Sequence, residues 1–365
     1  MSSADAPAPT PTTRPRDSQW TIVARQFRRK RSAVWGLRIT LGLVLMAIYA
    51  PVIACGIPFV WLEPGGSLQL PWFTRLFDVN VWEHGIDRFF NLLLVAVTLW
   101  FVVRIGLRLA VPDEVRRDLR RVRLRKWFLA ATAVVAVVQF FGWGFLTSEP
   151  TVDYRARAAG LTAEGEEIVA VFPPVPYSYR DQLPGLDDKF RGFLDFDRGE
   201  VHLLGTDEIG RDIFARILYG TRISLTIGII AVSIYVTIGT ILGALAGYFL
   251  GKVDMLIMRL VEIMICIPYL FLLLTIVALF QQKSIFLIMF AIGIISWTGV
   301  TRLVRGEFIR ERNIEYVDAA RAMGFRTPRI VFRHILPNAM GPVLVVATFG
   351  VASAILAESG LSFLG

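Results

Sequence analysis

Cysteine, histidine and charge are all scarce in this sequence. Two cysteines and three histidines among 365 residues are too few for a disulfide framework or for the clustered ligands of a structural metal site. Cys55 and Cys266 both fall inside apolar runs, which indicates small buried hydrophobic residues. His84 and His202 are isolated in polar segments, so we expect ordinary surface or interfacial roles for them. We predict no metal or cofactor bound by this chain.

Charged residues make up only 19% of the chain, while hydrophobic residues make up 55%. Soluble domains usually carry about 25% charged residues, so the composition argues against a single large aqueous core. The net charge of +9 comes from basic residues that lie between apolar runs, as in the cytoplasmic loops of membrane proteins. A nucleic-acid partner is therefore not predicted.

Seven apolar segments are long enough to cross a bilayer, which requires about 20 residues in a helix. They are Ile39–Trp61, Asn91–Val111, Trp127–Thr147, Ile217–Phe249, Leu256–Phe280, Ile285–Val304 and Met340–Leu361. The sequence therefore predicts an all-α polytopic membrane protein, with Pro268 kinking the fifth span.

Arginine clusters between these segments predict the orientation. Residues 1–32 form a disordered basic cytoplasmic tail, 33–147 an N-terminal region with three spans, 148–216 an extracytoplasmic domain, and 217–365 a core with four spans. The basic segments Arg116–Lys126 and 305–338 both lie inside in this scheme. Trp61, Trp72 and Trp82 are expected at the outer membrane interface. Gly365 then ends outside, directly after an apolar run, so we expect the complete subunit to continue beyond it.

Catalytic motifs are missing as well. The sequence contains no HExxH, no GxSxG and no paired acidic motif in a span, which disfavours an intramembrane enzyme. A partial phosphate-loop pattern surrounds Gly251 and Lys252, but Val253 replaces its Ser/Thr and Ala246 its first glycine. The chain therefore has no phosphate-binding loop of its own.

The segment Glu315–Asn338 predicts two short helices joined by a sharp bend. Gly324 suits a left-handed C-cap, Thr327 an N-cap, and Pro328 the first helical position, while Pro337 is expected to end the second helix. Ala319, Ala320 and Ala322 predict a smooth face that another protein can approach closely. An amphipathic loop lying on lipid headgroups is the alternative.

The segment His202–Leu225 predicts an interfacial helix that leads into the fourth span. Thr206 or Asp207 is its expected N-cap. Ile209, Ile213 and Ile217 recur every four residues and form one apolar face. The basic residues expected to reach headgroups are Arg211, Arg216 and Arg222.

Small and ionisable residues inside the spans indicate further sites. Gly239, Gly243, Gly247 and Gly251 fall at intervals of four and predict a helix-packing face.

Carboxylates inside spans are functional candidates by default. We expect Glu262 to pair with Arg259 or Arg302, and Glu358 to face a translocation path near the outer mouth.

Two of these segments resemble a known family. Asp318, Ala319, Ala320, Gly324, Leu336 and Pro337 fall on the spacing of the EAA loop of ABC importer permeases, with Asp318 in place of the usual Glu. His334 stands at the Ile position of that pattern, as it commonly does in the peptide-transporting branch. The residues that resemble the signature preceding the core of dipeptide and oligopeptide permeases are Gly205, Thr206, Asp207, Gly210, Arg211 and Asp212.

The resemblance implies a type I ABC importer permease core with extra N-terminal spans and an outer loop domain. Its function would be ATP-driven peptide import across the bacterial inner membrane, with the N-terminus in the cytoplasm. The implied partners are two ATPase subunits that bind ATP and Mg, a second and different permease, an extracytoplasmic peptide-binding protein and membrane lipid. Related permeases for nickel chelates, glutathione or peptide antibiotics, and a secondary transporter without ATPase, remain alternatives.

Overall fold

The computed structural model describes residues 27–82, 84–110, 132, 134, 152–182, 202–280 and 284–364. Its helices and strands, numbered along these residues, are α1 Arg31–Ile48, α2 Ala50–Ile53, β1 Val60–Leu62, α3 Pro71–Thr74, α4 Gly85–Ala110, α5 Tyr154–Ala163, β2 Val169–Val171, α6 Ile213–Phe249, α7 Gly251–Cys266, α8 Tyr269–Leu279, α9 Ile285–Ile295, α10 Trp297–Glu311, α11 Glu315–Ala322, α12 Thr327–Ile330, a π-turn Val331–Ile335 and α13 Leu336–Leu364.

The predicted helical membrane architecture is confirmed. Among the described residues, five helical stretches are long and apolar enough to cross a membrane, and six if the bent pair α7–α8 is one span. The predicted third span Trp127–Thr147 and the basic segment Arg116–Lys126 lie outside the described residues, as does most of the predicted tail 1–32. The division into four regions stays a prediction.

Helix α6 is the central element, and glycines determine how closely α10 approaches it. A Cβ atom on Gly239 would lie 2.6 Å from Val300 Cβ, one on Gly243 2.7 Å from the Thr301 carbonyl oxygen, and one on Gly247 2.6 Å from Phe308 Cβ. Larger residues at these positions would force the helices apart, which agrees with the predicted packing face.

Gly251 does not belong to this packing face, contrary to the prediction. It opens α7 with a φ of +56°, directly after Leu250 with a φ of +54°, and a Cβ on it would meet no atom within 4 Å. Two consecutive residues with positive φ turn the chain sharply between α6 and α7. Gly251 therefore provides a backbone conformation that other residues rarely adopt.

Helices α7 and α8 cover the span predicted for Leu256–Phe280, and the bend between them lies at Pro268, where a kink was predicted. Their axes differ by 84° across the break at Ile267 and Pro268. Proline lacks the N–H for a helical hydrogen bond and disfavours helical backbone in the residue before it. Cys266, expected to be buried, is exposed at the end of α7.

The first span is shorter than predicted. Helix α1 ends at Ile48, and the chain then forms α2 and the strand β1, which pairs antiparallel with β2. We call residues 54–82 and 152–182 the cap region. Trp61, Trp72 and Trp82 are buried within it and donate hydrogen bonds from their indole nitrogens, so they are packing residues and not the expected interfacial aromatics.

Arg222 joins the first two spans to α6. It was expected to reach headgroups, yet its side chain is fully buried. Its Nε donates to the Ala47 carbonyl oxygen at 2.7 Å, Nη1 to Asp87 Oδ1 at 3.2 Å, and Nη2 to Asn91 Oδ1 at 3.1 Å. Removing one partner of a buried charge pair typically costs about 3–5 kcal/mol, so Arg222 fixes α1 and α4 against α6.

The last span begins without the break that Pro337 was expected to cause. Pro337 lies in the first turn of α13, and the π-turn precedes it. The Leu336 N–H bonds to the Val331 carbonyl oxygen, five residues back. This wider turn accommodates a proline that would crowd an ordinary helical turn, so the helix continues.

The contact between α6 and α10 generates a stability prediction. We expect Gly243→Ala to lower stability by about 1–3 kcal/mol, because overpacking forces neighbouring atoms to move. Gly220→Ala on the same helix is the control, since its Cβ would meet nothing within 4 Å and alanine favours helix by about 1 kcal/mol. Thermal unfolding of the detergent-solubilised proteins, followed by tryptophan fluorescence, measures both. Equal melting temperatures would contradict the role of Gly243.

Candidate functional site

The bend between α11 and α12 has the geometry predicted for Gly324. Its φ is +77°. The Gly324 N–H bonds to the Arg321 carbonyl oxygen at 2.9 Å, and the Phe325 N–H to the Ala320 carbonyl oxygen at 3.2 Å. These two bonds form a Schellman motif, in which glycine adopts the left-handed conformation at no steric cost. The turn is therefore a defined structure and not a loose loop.

One face of this helix pair packs against the protein itself. Val317, Ala320, Ile330 and Ile335 are at most 2% exposed and belong to the apolar cluster that includes Phe308 of α10. Ala320 was expected on the outward face with its neighbours. It lies inward because it follows Val317 by three residues and so shares its side of the helix.

The opposite face is exposed and consists mainly of small residues. It comprises Asp318, Ala319, Ala322, Met323 and Gly324, which we call the coupling surface. Met323 is 64% exposed, and Asp318 accepts a hydrogen bond from Arg321 at 2.9 Å. Short side chains let another backbone approach closely, so this surface suits a protein partner.

Tyr316 connects the coupling surface to α10 and α13. Its hydroxyl donates to Glu311 Oε2 at 2.6 Å, at the end of α10, and accepts from Asn338 Nδ2 at 3.1 Å, at the start of α13. Burial and the hydrogen bond to the Glu311 carboxylate raise the pKa of Tyr316, so it stays neutral. We did not predict this anchor from the sequence, because its members are up to 22 residues apart.

His334 packs against Phe325, the residue that follows Gly324 in the bend. Its ring stacks on Phe325 with centroids 5.9 Å apart, and the Arg329 guanidinium lies 4.2 Å from the Phe325 ring centre. The carbonyl oxygen of His334 accepts from Asn338 Nδ2 at 3.1 Å. Leu336 and Pro337 follow it at the start of α13. These contacts hold the second short helix to the last span.

Helix α12 begins one residue earlier than expected. Arg326 takes the N-cap position, which makes Thr327 the first helical residue and Pro328 the second. Proline is still accepted there, because N–H groups of the first turn have no partner inside the helix.

Two arginines connect α10 to neighbouring spans. Arg305 Nη2 donates to Asp254 Oδ2 of α7 at 2.6 Å, and Arg312 Nη1 donates to the Tyr248 carbonyl oxygen of α6 at 2.8 Å. The anchor residue Glu311 lies next to Arg312. The end of α10 that carries Glu311 is therefore hydrogen-bonded to both α6 and α7.

A second candidate element is the compact turn His202–Asp212, which we call the entry turn. Gly205 and Gly210 have φ values of +77° and +78°, and Thr206 and Asp212 form an antiparallel bridge. Asp207 Oδ1 accepts from the backbone N–H of Ile209 and Arg211. The expected interfacial helix is therefore absent over these residues.

Asp212 is the observed N-cap of α6, where Thr206 or Asp207 was expected. Its Oδ1 accepts from the Ala215 N–H at 2.7 Å. Its Oδ2 lies 2.8 Å from Nδ1 of His202, and both side chains are fully buried. The His202 ring stacks on Tyr177 at 4.3 Å between centroids, so His202 links the cap region to α6 and is not the surface residue that we expected.

The remaining candidates lie apart from these two elements. Glu262 pairs with Arg259 at 2.7 Å, one of its two predicted partners. Glu358 is partly buried and accepts from Ser362 at 2.8 Å, and its role in a pathway stays a prediction. Burial raises the pKa of Cys55 to about 12, which keeps its thiol protonated. The described residues contain no cluster of three or more potential metal ligands.

The entry turn generates a pH-dependent prediction. Partial burial raises the pKa of Asp207, but hydrogen bonds from Arg211 and Ile209 outweigh it and leave the pKa below its ordinary value. A lowered pKa means that the charged form stabilises the fold. This contribution is complete above about pH 4 and is lost as the pH falls through the lowered value.

We expect Asp207→Asn to cost about 1.5 kcal/mol at neutral pH, since hydrogen bonds to a charged acceptor are lost. Melting temperatures measured between pH 3 and pH 8 test this, with exposed Asp318→Asn as the control. The difference in melting temperature between Asp207→Asn and the original protein should disappear at the acid end of this pH range. A difference in melting temperature that does not change with pH would contradict the role assigned to the carboxylate.

Two protein-family models match this chain, one near each end. Residues 239–365 match the family described as "Binding-protein-dependent transport system inner membrane component". Residues 18–61 match the "N-terminal TM domain of oligopeptide transport permease C". The first match includes the glycine face, the coupling surface and the last span.

Curated relatives are similar over about half of this chain. The chain is 49% identical over 164 residues to the oligopeptide transport system permease protein OppC of Haemophilus influenzae, covering 45% of this chain and 52% of the relative. It is 44% identical over 200 residues to the dipeptide permease DppC of Alkalihalophilus pseudofirmus, covering 54% and 63%. It is 39% identical over 178 residues to the glutathione permease GsiD of Pectobacterium atrosepticum, covering 47% and 59%.

The chain thus spans about half to two thirds of the length of these relatives. Their similarity agrees with the helical membrane architecture. Residues 239–365 and 18–61 of this chain are thus similar to inner membrane components of binding-protein-dependent transport systems.

Proposed function

We propose that this chain is a transmembrane permease subunit of an ATP-driven importer of the dipeptide and oligopeptide class. The coupling surface is the observation that carries the proposal. It presents small residues on a rigid, Schellman-capped helix pair, and it is anchored to two membrane helices through Tyr316.

The partners follow from this role. Two ATPase subunits bind ATP and Mg, since the chain has no phosphate loop of its own, and one of them docks on the coupling surface. A second, different permease completes the pathway, and an extracytoplasmic binding protein delivers the substrate. The N-terminus and the coupling surface then lie in the cytoplasm and the cap region lies outside, so the chain is a transporter subunit and not an enzyme.

Closure of the ATPase subunits is transmitted to the membrane helices through the contacts around α10. When the ATPase subunits close, they displace α11, and the Tyr316–Glu311 hydrogen bond passes this displacement to the end of α10. Arg312 and Arg305 extend it to α6 and α7. The ATPase thereby changes the relative stability of two arrangements of the spans, because its two states contact the coupling surface differently.

The substrate class rests on the named relatives. Two of the relatives described above are permeases for oligopeptides and dipeptides, and one is a permease for glutathione, itself a small peptide. A peptide is therefore the substrate we propose. Nickel chelates and peptide antibiotics are alternatives, as is a secondary transporter that needs no ATPase.

Gly324 provides the test of the coupling surface. We expect Gly324→Val to reduce co-purification of the ATPase subunits and peptide-stimulated ATP hydrolysis by about tenfold or more, because a β-branched residue at a φ of +77° disrupts the bend at a cost of about 1–3 kcal/mol. Gly324→Asn is the matched control, since asparagine tolerates this conformation. Gly324→Asn should retain most of the ATPase co-purification and most of the peptide-stimulated ATP hydrolysis.

Membrane insertion and melting temperature of both variants provide a check on folding. If Gly324→Val folds and binds the ATPase as the original protein does, the coupling assignment is wrong.

Uptake of a labelled dipeptide tests the transport class. Cells or vesicles that contain the full importer should accumulate the peptide only with ATP and with the binding protein present. Dissipating the ion gradients while ATP is maintained should leave uptake intact. Uptake driven by an ion gradient without ATP would support a secondary transporter instead.

A further inference from the structure

A groove of about 550 Å³ lies between α6 and the helix pair that carries the coupling surface. The α6 side runs from Val236 to Phe249, and the other side is formed by α12, the π-turn and the first turns of α13. Apart from Thr237, Thr240 and Thr327, its lining side chains are apolar or aromatic. Neither the coupling contacts nor the glycine face uses this groove.

The mouth of the groove is exposed along α6. Ile241, Leu245 and Phe249 recur every four residues and are 55%, 39% and 56% exposed, and Phe332 on the opposite side is 68% exposed. Both sides belong to helical stretches that are long and apolar enough to cross a membrane. The mouth therefore faces hydrocarbon when these helices lie in a bilayer.

The length of the groove matches an acyl chain in one leaflet. The thirteen residue steps from Val236 to Phe249 rise about 20 Å at 1.5 Å per residue, against about 15 Å for the hydrocarbon of one leaflet.

Three cationic residues lie close to the lining residues of the groove along the chain. Lys252 follows Phe249 by three residues, while Arg326 and Arg329 flank Thr327 and Pro328. All three cations are exposed, and none forms an ion pair with a carboxylate in the described part of the chain. Basic sites between membrane helices attract anionic lipid headgroups.

We propose that this groove binds an acyl chain of an anionic phospholipid from the leaflet on the coupling-surface side, with the headgroup phosphate at Lys252, Arg326 and Arg329. The acyl chain fills the space between α6 and the π-turn. The phospholipid then acts as a spacer that sets the distance between the coupling helices and α6, because the groove wall includes Val331 and Leu336 from the same segment. This assignment does not depend on the transport function, since the groove exists in the single chain.

Filling the groove is the direct test. Ala244 lines it and is partly buried, so Ala244→Phe should block the acyl chain. Ala278→Phe is the control, because Ala278 is an exposed alanine of α8 outside the groove. The full-length proteins are purified from membranes in mild detergent, and their phospholipids are identified by mass spectrometry. We expect Ala244→Phe to lose most of the tightly retained anionic phospholipid and Ala278→Phe to retain it.

Headgroup selectivity is measured by exchange into nanodiscs of phosphatidylcholine with or without phosphatidylglycerol. The original protein should enrich phosphatidylglycerol, and Lys252→Gln should weaken this binding about fivefold, as expected for one charge near an anionic surface. Equal retention of the two lipids would overturn the anionic assignment. Unchanged retention in a folded Ala244→Phe protein would overturn the groove itself.

A photoreactive residue at Leu245 keeps the test valid if Ala244→Phe fails to fold. Leu245 lines the groove and is partly exposed, and its replacement adds no bulk at the position of Ala244. Cross-linking in assembled membranes should yield phospholipid adducts. Adducts to a partner polypeptide alone would overturn the proposal in favour of a protein-covered groove. Neither outcome requires measurement of transport or ATPase activity.

Discussion

The close contact between α6 and α10 is the constraint on which the rest of the described structure depends. Apolar side chains gain little by leaving lipid for one another, so helices in a bilayer associate through close van der Waals packing. Gly239, Gly243 and Gly247 allow this approach along about two helical turns. Since the coupling surface is attached to the end of α10, this glycine face also determines where the coupling surface lies relative to α6.

Buried or partly buried arginines provide the polar links at both ends of this packed pair. Arg222 joins α6 to α1 and α4 through carbonyl, carboxylate and amide oxygens, whereas Arg305 and Arg312 join α10 to α7 and α6. Each guanidinium has oxygen acceptors, so no isolated charge remains among these three in the apolar region. The bundle can therefore move as connected helices rather than as independent spans.

The coupling surface and the groove lie on neighbouring parts of one helix pair. Helix α11 and Gly324 carry the coupling surface, whereas α12 and the π-turn line the groove. In the proposed importer, ATPase contact and lipid contact therefore act on two short helices that the Gly324 bend joins. The π-turn supports both roles, since it lets the chain pass through Pro337 into the last span without a break.

Local features were predictable from the sequence for a physical reason. The left-handed cap at Gly324 and the glycine face of α6 depend on residues within one or two helical turns. The predicted N-cap of α6 was wrong because Thr206, Asp207 and Asp212 are all good caps. The turn hydrogen bonds of Asp207, together with the His202 contact of Asp212, decide between them.

The sequence by itself determined the helical membrane class, most of the spans, the bend of the coupling surface and the family signatures, because hydrophobic length and residue spacing act locally along the chain. Only the tertiary structure decided that Arg222 and His202 are buried and that Ala320 faces inward. Arg222 meets its acceptors 131–175 residues away along the chain, and no local pattern carries that information. Burial of a polar residue depends on its partners, and folding alone brings those partners together.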